Sequence, residues 1–395
     1  MSHDRPRVPS PAEISRARAE VGSDERRARV AWSRILEPRR ERIGADPGEL
    51  RSVIGSLGHV AAWHRLVDGD VPRSASARAR VPEVDVDGEL DRVARVGARV
   101  VIPGDADWPE AFDHPDIAPH LVHVRGSGCL ADLSLQAVGV VGSRASSGYG
   151  EAIARDLGAG LGRRGWTTVS GAAFGIDAAA HLGALAVDGL VVAVLPCGPD
   201  RVYPDGNRRL VDAVAETGVV VTELATGTVA MRHRFLARNR LIAALGRATV
   251  VVEAGLRSGS LNTAGWARGL HRPVGAVPGP VTQMSSAGCH EWIRTERATL
   301  VTDVDEVLGI AARVGQAPDE VVDRLGPGRG ADVLADAHRR VHDLLRLGVG
   351  IDAGAVATEL VVPVEEVIAA LAMMQLEGWA RQDDDGRWRR TPVRP

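Results

Sequence analysis

The chain of 395 residues contains no lysine, so all 48 basic residues are arginine. A bias spread over the whole length reads as GC-rich coding and marks no particular site, so arginine content alone says nothing about phosphate binding. The net charge of -3 excludes a protein that holds nucleic acid through total charge, and any polyanion contact has to come from a local cluster. Cysteine is scarce: Cys129, Cys197 and Cys289 lie far apart, without a CxxC or a nearby His pair. That excludes a disulfide framework and a zinc site and fits a reducing cytoplasm; neither metal nor cofactor is expected. Long apolar runs are also missing: LVVAVLPC is far too short to span a bilayer, and no apolar segment of signal-peptide type opens the chain. Neither secretion nor membrane insertion is expected. With 3% aromatic residues there is little for nucleobases to stack on, so affinity for nucleic acid would rest mainly on phosphates.

A chain of this length with 45% hydrophobic residues can bury two or three cores. Residues 1–24, rich in Arg, Pro, Ser and Glu without periodicity, read as a disordered tail. Residues 25–68 read as a small module of three short helices of helix-hairpin-helix or SAM-like type. Its GSLG turn is either a phosphate-binding hairpin or a plain connector. Residues 69–89, with Pro, Ser and Arg and no core pattern, read as a linker. After a second linker at 311–331, residues 332–391 give three helical patterns and a hairpin with a DG turn, the order of a winged helix. The third of those helices carries Glu365, Glu366 and Glu377 and no arginine, so phosphates would repel it and a protein contact or regulatory role is favoured.

Between 90 and 310 apolar runs alternate with helical patterns. The runs AVGVVGS, TTVS, LVVAVLP, VVVTE, ATVVVEA and PVGAVPG read as strands, with helices from about Gly148, Gly175, Asn207, Met231 and Ser260. Strands apolar on both faces and separated by helices predict an α/β fold, a Rossmann-like doubly wound, mostly parallel sheet. In such sheets ligands sit beyond the carboxyl ends of the strands, where helix N-termini offer free N–H groups.

The loops at that edge carry the chemistry. The first strand runs into Gly142, Ser143 and Arg144, small residues that let backbone amides approach an anion beside a guanidinium able to grip it bidentately. The second ends in Ser170, Gly171 and Phe174, with Asp177 in the first turn of the next helix, where a carboxylate favours the dipole. His181, on that same helix, could be paired with Ser170 as a hydrolase triad, but there is no GxSxG elbow. After the third strand Asn207 fixes a turn, and one of Arg208 and Arg209 faces the groove. The segment MRHRFLARNRLIAAL then brings Arg232, Arg234, Arg238, Asn239 and Arg240 together, with Phe235 a candidate for base contact or for the core. A last loop holds Ser258, Gly259 and Ser260. Five loops, three bearing arginine, predict a shallow basic track suited to a linear polyanion.

In this order GSR at 142–144, SGAAFGID at 170–177, YPDGN at 203–207, RNRLIA at 238–243 and VVEAGLRSGSLNTA from Val251 resemble the DprA (Smf) family of DNA-processing proteins. The similarity covers about Asp105 to Val307, and its motifs are highly specific. Leu236 stands where the family has a proline, Phe174 where a basic or small residue is common, and GCHEWIRTERA from Gly288 matches only loosely. The resemblance implies a non-catalytic protein that binds single-stranded DNA, dimerises through the Rossmann-like domain and loads RecA recombinase in natural transformation. By position, Gly142, Ser143, Arg144, Ser170 and Gly171 would hold phosphates, Arg208 or Arg209 would close over the strand, and Arg238 and Arg240 fall on the family's RNR. The alternatives are a nucleotide-cleaving enzyme of the lysine-decarboxylase-like type and a nucleotide sensor. Against the enzyme, SGSLNTAGWA offers no carboxylate after Thr263, which leaves Glu253 without a partner for acid-base work.

Overall fold

The computed structural model describes residues 7–38, 48–312, 336–346, 350–383 and 385–391. The chain divides into two compact units, Met1–Pro318 and Asp319–Pro395.

The first unit opens with helices. In α1 (Pro11–Val21) Ser10 and Glu13 form a reciprocal capping box, and Pro11 sits in the first turn. From Pro11 onward the expected tail is therefore a packed helix, corrected by this capping and by the burial of Ala17 and Val21. Its apolar stripe is too narrow to register as periodicity. Three further helices, α2 (Glu25–Ile35), α3 (Glu49–Leu57) and α4 (His59–Asp68), surround Trp32 and Trp63. The indoles meet edge to face at 5.7 Å. Each indole N–H donates to a backbone carbonyl at 2.9 Å, Trp32 to His59 and Trp63 to Ala17, so burying these rings leaves no polar atom unpaired. The expected linker at 69–89 is corrected in the same way: it holds α5 (Ala75–Ala79), a 3-10 turn and the start of α6 (Val86–Arg95). Val71, Ala77, Val81, Val84 and Val86 from this stretch enter the same core. Pro72, Arg73, Ser76 and Arg80 are exposed around these few anchors, while Ser74 is buried with its hydroxyl on the Val71 carbonyl.

The sheet and its helices follow as β1 (Ala98–Val101), β2 (Val122–Arg125), α7 (Leu130–Leu135), β3 (Ala137–Val141), α8 (Gly148–Arg163), β4 (Thr167–Ser170) and α9 (Ile176–Leu185). Then come β5 (Val191–Val194), α10 (Arg208–Thr217), β6 (Val219–Thr222), α11 (Arg232–Leu245), β7 (Ala248–Val251) and α12 (Ser260–Gly269). The unit closes with β8 (Val274–Ala276), α13 (Ala287–Arg294), β9 (Thr299–Leu300) and α14 (Val304–Ala311). Nine strands pair in the order β1-β2-β6-β5-β4-β3-β7-β8-β9. The fold is the Rossmann-like, mostly parallel sheet read from the sequence, with β1, β2 and β9 added at its edges. Only the β1–β2 and β2–β6 pairs are antiparallel.

Alternation along β3 explains the two layers. Val138 and Val140 pack on one face with Ala154 and Leu157 of α8 and Ala179 of α9. Ala137 and Val141 face the other way, in the core that holds Leu241 and Ile242 of α11 and Trp266 of α12. α8 and α9 touch backbone to backbone. A Cβ on Gly158 would strike the Ala180 carbonyl oxygen, and one on Gly183 the carbonyl of Arg155, so only glycine permits this approach.

The second unit contains α15 (Asp336–Leu344), α16 (Ala353–Leu360), α17 (Val364–Leu376) and an antiparallel pair of β10 (Ala380–Gln382) and β11 (Trp388–Arg390). Val356, Val367, Leu371, Met374 and Trp388 form its core. The expected linker at 311–331 lies outside the described residues from 313 onward.

Candidate nucleic-acid interface

Strand order reverses at β3. β4, β5 and β6 follow on one side of it and β7, β8 and β9 on the other, so the loops leaving β3 and β7 diverge and open a crevice. A cleft of about 780 Å³ lies there, lined from five loops: Gly142 to Ala145, Ala173 and Asp177, Tyr203, then Ala230 to Asn239 in part, and Arg257 to Ser260.

At the rim Arg144 is exposed, its guanidinium 4.3 Å above the ring of Phe235, and Tyr203 meets that ring edge to face at 5.4 Å. Stacking holds the guanidinium plane and leaves its N–H edge free for an anion. Arg232 and Arg257, both exposed, line the same cleft. The floor differs in kind. Arg238 is only 5% exposed, and one Nη donates to the Val194 carbonyl at 2.9 Å. Burial, reinforced by the charge of Arg144 and opposed by Asp177, lowers its pKa to about 10, which leaves it charged at neutral pH. The Asp177 carboxylate accepts the Gly171 N–H at 3.2 Å. Burial pushes its pKa up, while Arg238 and the amides of Ala173 and Gly171 pull it down. Floor charges thus offset one another, and the net positive field comes from the rim. Asn239 ties α11 to the β7 loop, its Nδ2 donating to the Gly259 carbonyl at 3.3 Å and to Asn262 Oδ1 at 3.2 Å.

Among the described residues that line this cleft Asp177 is the single carboxylate, and none is a histidine. Glu253 is buried and accepts the Ser147 N–H at 2.9 Å, Ser147 Oγ at 2.8 Å and Ser285 Oγ at 3.0 Å, which makes it a brace between loops. His181 is fully buried with both ring nitrogens unbonded, its pKa lowered by burial to about 4. Ser170 donates its hydroxyl to the Val140 carbonyl at 2.6 Å, so the two form no triad.

Residues 99–311 match the profile of a family described as DNA recombination-mediator protein A. The chain belongs to this family. It is 40% identical over 379 residues to the DprA relative of Mycobacterium tuberculosis, covering 91% of this chain and 93% of that one. It is 35% identical over 340 residues to protein Smf of Escherichia coli, covering 85% and 89%. The crystal structure of DNA processing protein A from Streptococcus pneumoniae superposes with a TM-score of 0.58 at 28% identity, covering 77% of this chain and 98% of that one.

Set on this recombination-mediator fold, the expected site residues separate into two groups. The cleft gathers Gly142, Ser143, Arg144, Arg238, Asn239, Ser258, Gly259 and Ser260. The others lie elsewhere. Arg240 is corrected: it is fully buried, with its two Nη on the carboxylate of Glu223 at 2.5 and 2.6 Å and its Nε on the Ile117 carbonyl. Ser170 is corrected too, because its hydroxyl is spent inside the core. Gly171 serves the cleft indirectly, since a Cβ there would overlap the Arg238 guanidinium. Asn207 donates its Nδ2 to the Ala172 carbonyl at 2.9 Å and so fixes the turn. Phe174 is 51% exposed but packs on the Gly206 turn outside the cleft. Arg208 is paired with Asp205 at 2.6 Å, whereas Arg209 is exposed and has no ion-pair partner among the described residues. Arg232, read from the sequence as part of the arginine cluster, lies in the cleft, whereas Arg257 and the ring of Tyr203 were missed as site residues. Arg257 stands directly before the SGS loop, and its position was the available signal.

Among the described residues no helix is long and apolar enough to cross a membrane.

Proposed function

We propose that this protein binds single-stranded DNA along the cleft, does no chemistry on it, and hands the strand to RecA recombinase during recombination and natural transformation. Supporting this reading are its membership of a recombination-mediator family and its likeness to proteins named for DNA processing. The observation that carries it is an open cleft at the sheet's switch point, rimmed by Arg144, Arg232 and Arg257, in which Asp177 is engaged as a structural acceptor of the Gly171 N–H. Phosphates would meet the amides of Gly142 and Ser143, the guanidinium of Arg144 and the small-residue loop at Ser258 to Ser260. Arg209 would extend the contact past the cleft. A nucleotide-cleaving enzyme needs a free carboxylate facing its substrate, and the single carboxylate among the described residues of the cleft, Asp177, is held by the Gly171 N–H. The same proposal includes a homodimer formed through the Rossmann-like domain and a winged-helix-like second unit that contacts protein.

The test is binding of fluorescent single-stranded and duplex oligonucleotides of one sequence across a salt series, followed by RecA filament assembly on the bound strand. Tight, salt-sensitive preference for the single strand, with faster filament assembly, is expected. Equal affinity for both forms, or a preference for free mononucleotide, would overturn the reading.

A further inference from the structure

A second groove adjoins the cleft. It holds about 400 Å³ between the N-terminal helices and the loop that joins β6 to α11, and it is lined by Arg34, Arg80, Arg234, Glu37 and the 224–229 backbone. Met231 lines both this groove and the cleft, so a strand leaving the cleft past Met231 enters it directly. Of its three guanidiniums, Arg80 donates to the Ile35 and Arg34 carbonyls and Arg34 lies 3.5 Å from Glu89, so Arg234 is the one paired with Glu37.

That carboxylate is placed as a phosphate would be. Glu37 Oε1 accepts from Arg234 Nη2 at 2.5 Å and Oε2 accepts from Arg234 Nε at 3.0 Å, a two-pronged grip on the guanidinium edge. His233 Nε2 stands 3.3 Å from the same Oε2. Arg234 Nη1 is fixed to the Val229 carbonyl at 2.6 Å, so the fork is held with its other edge outward. The Arg234 side chain is 11% exposed, whereas Glu37 is 52% exposed and sits on the solvent side of the pair. A non-bridging phosphate oxygen pair offers the fork the same geometry as a carboxylate. Arg234 holds the carboxyl of Glu37 below the usual carboxylate range, so the competitor is an anion at neutral pH.

We propose that Arg234 and His233 form a further phosphate subsite of the DNA track, and that Glu37 of the N-terminal helical region occupies it in the free chain as an internal competitor. The inference rests on the single-strand reading above. DNA long enough to pass Met231 displaces Glu37, while shorter DNA leaves the pair closed. The N-terminal helices thereby set how much of the track is open.

The experiment is anisotropy with short and long oligo(dT) on the full chain, comparing wild type, Glu37→Gln, Arg234→Gln and the double variant across a salt series. Glu37→Gln is expected to bind the long oligonucleotide about fivefold tighter at low salt. Its dependence of log affinity on log salt should steepen by about 0.7. Arg234→Gln should weaken long-strand binding and cancel that gain in the double variant. Opposite signs for the two single substitutions are the decisive result, because a purely structural clamp would shift both the same way. A Glu37→Gln protein with weaker or unchanged binding overturns the subsite. Arg144→Ala separates the two levels: if it loses binding while Glu37→Gln changes nothing, the subsite fails and the cleft stands; if wild type binds no single strand, the functional reading itself fails.

Discussion

Arg238 and Arg240, two residues apart on α11, point to opposite sides of the helix. Arg238 enters the cleft and bonds the Val194 carbonyl at 2.9 Å, while Arg240 enters the core and chelates Glu223 at 2.5 and 2.6 Å. Two residues turn a helix by about 200°, so both side chains cannot serve one face. The RNR tripeptide therefore combines one cleft residue with one core residue, joined by an asparagine that links α11 to the β7 loop.

Arg240→Met should act on stability. It strands the carboxylate of Glu223, whose side chain is 9% exposed, and breaking a buried pair on one side costs about 3 to 5 kcal/mol. Denaturant titration measures the loss, and the double variant with Glu223→Gln should recover part of it. A stable Arg240→Met protein with weakened DNA binding would put Arg240 back in the interface.

Arg144→Ala should leave the fold intact, because the side chain is exposed, with its guanidinium over the face of Phe235. Affinity should fall similarly for every sequence, with the salt slope lower by about 0.7, as expected of one lost phosphate contact on a single strand. A loss confined to certain sequences would mean that Arg144 reads bases.

Gly171→Ala tests the cleft floor without touching a charge. The new methyl would take the space of the Arg238 guanidinium. Overpacking of this kind costs about 1 to 3 kcal/mol. Binding should also weaken, since Arg238 must leave its place. Unaltered binding in a folded variant would show that the position of Arg238 does not matter to the ligand.

Acid should destabilise the protein before its carboxylates titrate. His181 is buried with a pKa lowered to about 4, against 6.5 when unfolded. Below pH 6.5 the unfolded chain takes up this proton first, so stability is unaffected above 6.5 and is lost as pH falls towards 4. The slope per histidine is at most about 1.4 kcal/mol per pH unit. His123, lowered by burial in the same direction, adds to it. Asp177 works the other way: its raised pKa gives a contribution that is complete at low pH and lost as pH rises through its folded value. Unfolding free energies at pH 7.5, 6 and 5 should therefore decline, less steeply in His181→Gln; identical slopes would reject the assignment.

The sheet was legible because six of its strands are apolar on both faces and alternate with helices, and the loop glycines at 142 and 259 mark its ligand-bearing edge. Three features were not legible. α1 buries only Ala17 and Val21, too few apolar positions to give a period. Residues 69–89 join the core through five scattered anchors, which composition averages away. The fates of Arg234 and Arg240 depend on Glu37 and Glu223, which lie 197 and 17 residues away in the chain. For Arg240 the helical period was a usable signal: once α11 begins at Arg232, residues 238 and 240 cannot share a face.

The glycine contact between α8 and α9 bears on how a strand comes and goes. At Gly158 and Gly183 backbone meets backbone, and no rotamer separates the two helices that carry the β3 and β4 loops at those two points. That wall of the cleft has little to rearrange when a ligand arrives. Nor does it have a latch to release. In the proposed single-strand reading, exchange is then governed by the ions around the DNA, and a strand held this way is lifted off one phosphate at a time from either end.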